Sequence, residues 1–306
     1  MRFLVAFLIL SQVAFGYHHP KYAKGLKRKS NIFLQSEMQV SFTGVNVSIP
    51  NEFSLIPQLS QVEDQGQCGS CWDFSLTDTL RNTYITTGLK DPGRLSFMYL
   101  LNCAKDMSGC NGGDFDAAKY MIDKMGPPLY NFQPYTAHQT SCKKGPVAAS
   151  GVAYRMLGSA SGPSFKDIAY VISQLKKPLA TEVAADDGFQ NYQSGVYSNC
   201  SSTSIDHMVE LVGYSCEGKC DFDLAGNLPN GVGYYIIKNS WGPGWGEKGY
   251  IRIKATNKKG KRCDAIATEA LYYDLTLPKQ VDVPTPFLFK VLEMLKAALD
   301  FFTFSF

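Results

Sequence analysis

The sequence lacks the features that would assign it to a membrane-spanning fold, a repeat fold or a zinc centre. Its N-terminal apolar run, Phe3 to Leu10, is too short to span a bilayer, and no internal repeat stands out. The cysteines form no paired C-x-x-C sets, which argues against zinc. Because apolar residues make up 45% of the 306 residues, a substantial core can form and global disorder is excluded.

Basic charge is concentrated before residue 49. Six basic residues and one acid precede that point, so removing residues 1–48 would change the formal charge from +3 to −2. The start combines a charge at Arg2, an apolar run and small residues around Gly16, which is typical of an export signal. We predict a signal peptide over 1–16 and a short, solvated pro-segment over 17–48. The protein would be secreted, extracellular, or in a lysosome-like or periplasmic compartment, without a nucleic-acid partner.

The cysteine count is odd. In an exported chain, an even set predicts disulfides and the remaining cysteine is a reactive thiol. The nine cysteines are Cys68, Cys71, Cys103, Cys110, Cys142, Cys200, Cys216, Cys220 and Cys263. Which of them stays free is therefore the central question.

The first half of the chain favours helices and the second half favours strands. Apolar spacing predicts a helix from Cys71 to Tyr84, and Ser164 with Asp167 has the spacing of a capping box before a second helix that ends before Pro178. Short strands are predicted over 179–183, 208–214, 234–238 and 250–253. This composition suggests two lobes with a cleft between them.

The segment from Gln65 to Trp72, Gln-Gly-Gln-Cys-Gly-Ser-Cys-Trp, resembles the nucleophile segment of papain-like (cathepsin-type) cysteine proteases. Cys71 would lie at the N-terminal end of the predicted helix, where unpaired N–H groups and the helix dipole favour a thiolate. His207 follows 136 positions later, which is within the family's separation. His18 and His19 fall in the pro-segment, and His138 lies in a polar loop that suggests a surface role.

A third matching segment runs from Lys238 to Gly246. Asn239 can accept a hydrogen bond from the imidazole, and Trp241 could shield that bond from water. Alone, this Gly/Trp-rich segment could equally be a surface turn. Three segments matching in the right order make the resemblance specific, and it covers roughly residues 49–273.

The resemblance implies an α+β, papain-like two-lobe fold, with a helical N-terminal lobe, an antiparallel β-barrel-like C-terminal lobe and the active-site cleft between them. It implies that Cys71 attacks as a thiolate paired with His207, that Gln65 and the Cys71 N–H form the oxyanion hole, and that Gly112 and Gly113 line the cleft. It further implies the disulfides Cys68–Cys110, Cys103–Cys142 and Cys200–Cys263. Our own inference adds Cys216–Cys220, which leaves Cys71 free.

Two positions depart from the family pattern. Asp73 replaces a small residue and could raise the pKa of Cys71 if it faced the site, although helix geometry directs it away. Near Cys263, an alignment on Ile266 inserts one extra residue relative to the family pattern. With it, Glu269 forms the floor of the S2 pocket between Ile205 and Met208, favouring a basic P2 residue; without it, Thr268 lies there and the preference is apolar.

We therefore predict a papain-like endopeptidase domain over 49–275, a monomer that acts on proteins or peptides without a cofactor or metal. Residues 276–306 form an amphipathic tail, too charged to span a bilayer, that would pack on the domain or contact a membrane surface or partner. Two alternatives stay open. One is a catalytically silent, peptide-binding relative, and the other is a thiol–disulfide oxidoreductase that uses Cys68 and Cys71.

Overall fold

The computed structural model describes residues 22–27, 39–159 and 161–275. The expected signal peptide, parts of the pro-segment and the C-terminal tail lie outside the described residues. The described chain forms one lobe built around helices and one built around a β-sheet. This α+β arrangement agrees with the predicted fold class.

The helical lobe is organised by its longest helix, α1 (Cys71–Thr86), which begins at the predicted residue. It is buried along most of its length because it packs on the sheet on one side and on the rest of its own lobe on the other. The remaining elements of this lobe are helix α2 (Met98–Cys103) and the 3₁₀ segments Gly109–Asn111, Phe115–Met121 and Tyr130–Phe132.

The sheet lobe contains nine strands in the described residues: β1 (Gln39–Val40), β2 (Glu52–Ser54), β3 (Ala153–Leu157), β4 (Leu179–Val183), β5 (Val196–Tyr197), β6 (His207–Ser215), β7 (Tyr234–Lys238), β8 (Tyr250–Lys254) and β9 (Ala270–Asp274). The order is β1-β3-β9-β4-β6-β7-β8-β5, and β2 also pairs with β6. The pairs β1–β3 and β5–β8 are parallel and the others are antiparallel. The four strands predicted from sequence correspond to β4, β6, β7 and β8.

Helix α3 (Phe165–Ser173) packs on the sheet lobe, and its start confirms the predicted capping box. The Ser164 hydroxyl accepts the Asp167 N–H, and the Asp167 carboxylate accepts the Ser164 N–H. The same carboxylate accepts the Phe42 N–H at 2.5 Å. The C-terminal part of the expected pro-segment is therefore anchored to the sheet lobe.

A buried charge cluster holds α1 against the sheet. The Lys238 ammonium lies 2.7 Å from an Asp78 carboxylate oxygen and 3.7 Å from a Glu210 oxygen, while Asn82 donates to Glu210 at 2.9 Å. Lys238 and Glu210 are register partners on β7 and β6. Because paired charges tolerate burial only with satisfied partners, this cluster fixes α1 relative to the two strands.

Candidate active site

Cys71 is the free cysteine of the described chain and the first residue of α1. It is fully buried, and its sulfur accepts the Met208 N–H at 3.4 Å. The other eight cysteines pair as Cys68–Cys110, Cys103–Cys142, Cys200–Cys263 and Cys216–Cys220, which coincide with the expected pairs. Because Cys68 is bonded to Cys110, no Cys68–Cys71 redox pair is present.

The imidazole of His207 lies at the start of β6 and is oriented by Asn239. His207 Nε2 lies 2.8 Å from Asn239 Oδ1, and the same oxygen accepts the Ser240 N–H at 2.9 Å. An Nε2–H that donates to the amide leaves Nδ1 as the proton acceptor. Trp241 stacks on the imidazole at 4.6 Å between ring centroids and covers this bond. His138, in contrast, is exposed.

Gln65 is held at the entrance to the same site. Its side-chain oxygen accepts the Ser240 hydroxyl at 2.6 Å, and its Nε2 donates to Cys68 O at 2.9 Å and to Ala23 O at 3.0 Å. Gln65 is thus fixed by the segment that carries Asn239 and points an N–H at a carbonyl in the cleft, as an oxyanion-hole donor requires.

Residues 22–27 run through the cleft. Gly113 donates to Gly25 O at 2.9 Å and accepts the Lys27 N–H at 3.0 Å, and the Leu26 N–H donates to Asp206 O at 3.0 Å. Leu26 and Gly113 form a parallel bridge. A Cβ on Gly112 would lie 2.6 Å from Gly25 O, so Gly112 permits this close approach.

Side chains of the same segment contact residues that lie beside His207. Tyr22 stacks on Trp241 at 4.5 Å with an interplanar angle of 6°. The Lys24 ammonium lies 2.5 Å from the Asp206 carboxylate, beside His207, and 2.8 Å from Ala185 O. The sequence did not reveal these contacts, because a solvated pro-segment was expected. The feature of the sequence that could have indicated these contacts is the basic run from Lys21 to Lys29.

The covered site disfavours ionisation of both the Cys71 thiol and the His207 imidazole. Burial raises the pKa of the Cys71 thiol to about 11, although N–H donors at Met208 and Gly25 oppose this shift. Burial also lowers the pKa of His207 to about 4, and the charge of Lys24 contributes in the same direction. The hydrogen bond that His207 donates to Asn239 and the charge of Asp206 oppose this shift of the imidazole pKa. With residues 22–27 in place, the resting pair is a neutral thiol and a neutral imidazole.

Asp73 points into the helical lobe, as helix geometry predicts. One carboxylate oxygen accepts the Thr77 hydroxyl at 2.9 Å, and the other is buried without a hydrogen-bond partner among the described residues. Burial raises the Asp73 pKa well above the ordinary value. A protonated, buried Asp73 adds no charge next to Cys71.

The Asp73→Asn variant should be more stable than the wild type at pH 7.5, by a few degrees in Tm. The folded state holds the Asp73 proton more tightly than the unfolded chain, so wild-type stability falls as pH rises above the ordinary aspartate pKa. Asparagine still accepts from Thr77 and has no charge to bury. Thermal unfolding from pH 4 to 7.5 should show the Tm difference growing with pH; a constant difference would contradict the buried acid.

Residues expected around the S2 pocket lie on or beside the cleft-facing side of the sheet lobe. Met208 is fully buried in the cluster that joins α1 to the sheet, and Ile205 packs against that cluster together with Leu26. Glu269 immediately precedes β9, and Thr181 Oγ1 donates to its carbonyl at 2.6 Å. The Thr268 hydroxyl instead donates back to Ala265 O at 2.6 Å.

A family model described as papain family cysteine protease matches residues 50–273. A cathepsin L-like proteinase of Fasciola hepatica is 30% identical over 261 residues, covering 82% of this chain and 73% of the relative. Procathepsin L of Mus musculus is 34% identical over 275 residues, covering 85% and 72%.

Solved structures show the same likeness. Digestive procathepsin L2 from Tenebrio molitor larval midgut superposes with a TM-score of 0.68 at 30% identity, covering 83% of this chain and 78% of the other. A Carica candamarcensis cysteine protease in complex with E-64 gives 0.61 at 30% identity, covering 75% and 100%. Within residues 22–27, 39–159 and 161–275, no helix has the length and apolarity needed to cross a membrane.

Proposed function

Since the chain belongs to the papain family of cysteine proteases and is a papain-like cysteine endopeptidase, we propose that Cys71 is its nucleophile and His207 its base. The observation that carries this proposal is the hydrogen bond between His207 and Asn239, which Trp241 covers, while the free Cys71 thiol accepts the N–H of Met208, the residue after His207. An oriented base beside a nucleophile at a helix start is the arrangement that covalent catalysis needs.

The chemistry follows from these positions. Once the cleft is open to water, proton transfer from Cys71 to His207 gives a thiolate and an imidazolium. The thiolate attacks the scissile carbonyl, and the oxyanion receives N–H groups from Gln65 and the Cys71 backbone. His207 then protonates the leaving amine, and water hydrolyses the thioester. No cofactor takes part.

Residues 22–27 would keep the protein latent until the pro-segment is removed. Ala23 O receives the Gln65 N–H that the oxyanion would use, and the Gly25 N–H faces the Cys71 sulfur. The nucleophile therefore meets an amide hydrogen and not a carbonyl carbon. Removing the segment readmits water to the site and takes away the positive charge of Lys24. The pKa of Cys71 can then fall and the pKa of His207 can rise toward their ordinary values.

The wider assignments support the same function. Four disulfides are typical of an oxidising compartment, which a signal peptide at 1–16 would reach. We place the pro-segment at 17–48 and the catalytic domain at 49–275, and we expect a monomer that cleaves peptides and proteins. The tail at 276–306 remains the segment for a membrane-surface or partner contact.

The Asn239→Ala variant should lose about tenfold to a hundredfold in kcat/KM, less than the roughly 10²–10⁴-fold typical of a general acid–base group itself, because Asn239 only orients the base. Its alkaline limb should also move to lower pH, because the Asn239 hydrogen bond raises the His207 pKa in the folded protein. The measurement is the pH dependence of kcat/KM for a fluorogenic peptide, with the processed wild type alongside. An unshifted alkaline limb would show that Asn239 does not orient the imidazole.

A further inference from the structure

The helical lobe exposes a group of large apolar side chains in two segments that are neighbours in space. Each side chain is between 43% and 47% exposed, and the group consists of Met125, Leu129, Phe132 and Val147. The segments that carry them, 125–132 and 145–149, lie side by side because the Ala148 N–H donates to Pro127 O at 3.0 Å. We name these four side chains the apolar patch.

Glycines let the two segments of the apolar patch interdigitate. A Cβ added to Gly126 would lie 3.3 Å from Val147 Cγ1, and one added to Gly145 would lie 2.7 Å from the Phe132 ring. Each of these two side chains therefore lies on the backbone of the other segment. Single apolar residues are normal on a protein surface, whereas a contiguous group marks a contact site.

The described chain ends in the direction of this patch. Strand β9 pairs antiparallel with β3, with Asp274 opposite Ala153, and the Val152 N–H donates to Asp274 O at 2.6 Å. Because the two strands are antiparallel, β9 points back along the residues that precede β3, which lead to the segment 145–149. Leu275, the last described residue, packs against the cluster that joins α1 to the sheet.

The tail over 276–306 has the length and the sequence to cover the apolar patch. Val147 lies five residues before Val152, which is at most about 17 Å of extended chain. The first part of the tail, 276–286, contains three prolines and can reach about 35 Å. A helix over the next 16 residues, 287–302, would be about 24 Å long. One face of such a helix would be apolar, with Phe287, Val291, Leu295, Ala298 and Phe302.

We propose that, in the free protein, residues 287–302 dock on the apolar patch of the helical lobe of the same molecule. Of the roles left open for the tail, packing on the domain is the one that the exposed patch and the direction of β9 support. The linker keeps the tail at a high effective concentration next to the patch, which favours this docking over the binding of a separate chain. Contact of the tail with a membrane surface or a partner would compete with it.

The test is hydrogen exchange measured by mass spectrometry on the intact full chain. Amides of 287–302 should exchange at least about tenfold faster in Leu129→Glu than in the wild type, because burial of a leucine contributes at least the roughly 1.4 kcal/mol that corresponds to a factor of ten. Leu224→Glu is the matched control, since Leu224 is fully exposed in the loop between β6 and β7. It should leave the exchange of the tail unchanged.

A change in the tail should in turn expose the patch. Leu295→Glu should speed the exchange of 125–132 and 145–149, whereas Lys296→Glu, which places the same residue on the opposite face, should not. Circular dichroism checks that each variant is folded. Val147→Glu replaces Leu129→Glu if that variant unfolds.

Four results would overturn the proposal. One is a wild-type tail whose amides exchange as fast as those of an unfolded chain. Another is equal protection of the tail in the wild type and in the folded patch variants. Protection that rises with protein concentration would assign the tail to a second copy of the chain, and protection that requires anionic lipid vesicles would assign it to a membrane surface.

Discussion

Replacing Cys71 by alanine should reduce peptide hydrolysis by at least about 10⁴-fold, and His207→Ala should have an effect of the same order. Both losses follow from one mechanism, because the thiolate forms only when the imidazole takes its proton. The double variant should be little worse than either single variant, since residues that act as a unit are not additive. The measurement is kcat/KM on processed protein under mild reducing conditions.

His138→Ala is the matched control for the histidine variant. His138 is exposed, and its ring Nδ1 lies 2.6 Å from a neighbouring loop carbonyl, Thr136 O. Its removal should change kcat/KM by less than about twofold, as is usual for surface substitutions. Retention of activity in Cys71→Ala, with the fold checked by circular dichroism, would show that Cys71 is not the nucleophile.

Replacing Gly25 by valine should make the unprocessed chain active. A Cβ at this position would lie 1.8 Å from Gly69 O and 2.7 Å from Gly69 Cα, and backbone atoms cannot move aside. The segment must then leave the cleft and lose its hydrogen bonds to Gln65, Gly113 and Asp206. If each of these hydrogen bonds contributes about 1 kcal/mol, their loss should raise the basal activity of the unprocessed chain by about tenfold to a hundredfold.

Gly44→Ala is the matched control for this variant, because a Cβ on Gly44 would meet no atom within 4 Å. It lies in the same expected pro-segment and should leave the unprocessed chain as latent as the wild type. Initial rates must be read while mass analysis still shows the intact chain. Equal basal rates in Gly25→Val and wild type would mean that residues 22–27 do not block the site.

The sequence predicted the elements that are determined by residues close together in the chain. The helix from Cys71 follows from its apolar spacing, the start of α3 from the Ser164 capping box, and β4 and β7 from their apolar runs between turns. The cysteine pairs needed the family resemblance as well, because spacing alone leaves many connectivities open.

The features that the sequence did not predict are contacts between segments that are far apart in the chain. No local pattern shows that Tyr22 stacks on Trp241, or that Lys24 reaches Asp206. Whether Thr268 or Glu269 lies on the face of the S2 pocket depends on the β4–β9 register. Inserting one residue would move each side chain to the opposite face of the strand.

The direct test of the central claim is to map the covalent adduct of a thiol-alkylating reagent, iodoacetamide, on the processed protein while following peptide hydrolysis. We expect one adduct per molecule, on Cys71, with activity lost in proportion to labelling and the four disulfides intact. Full activity in a completely labelled protein, or labelling at another residue, would contradict Cys71 as the nucleophile.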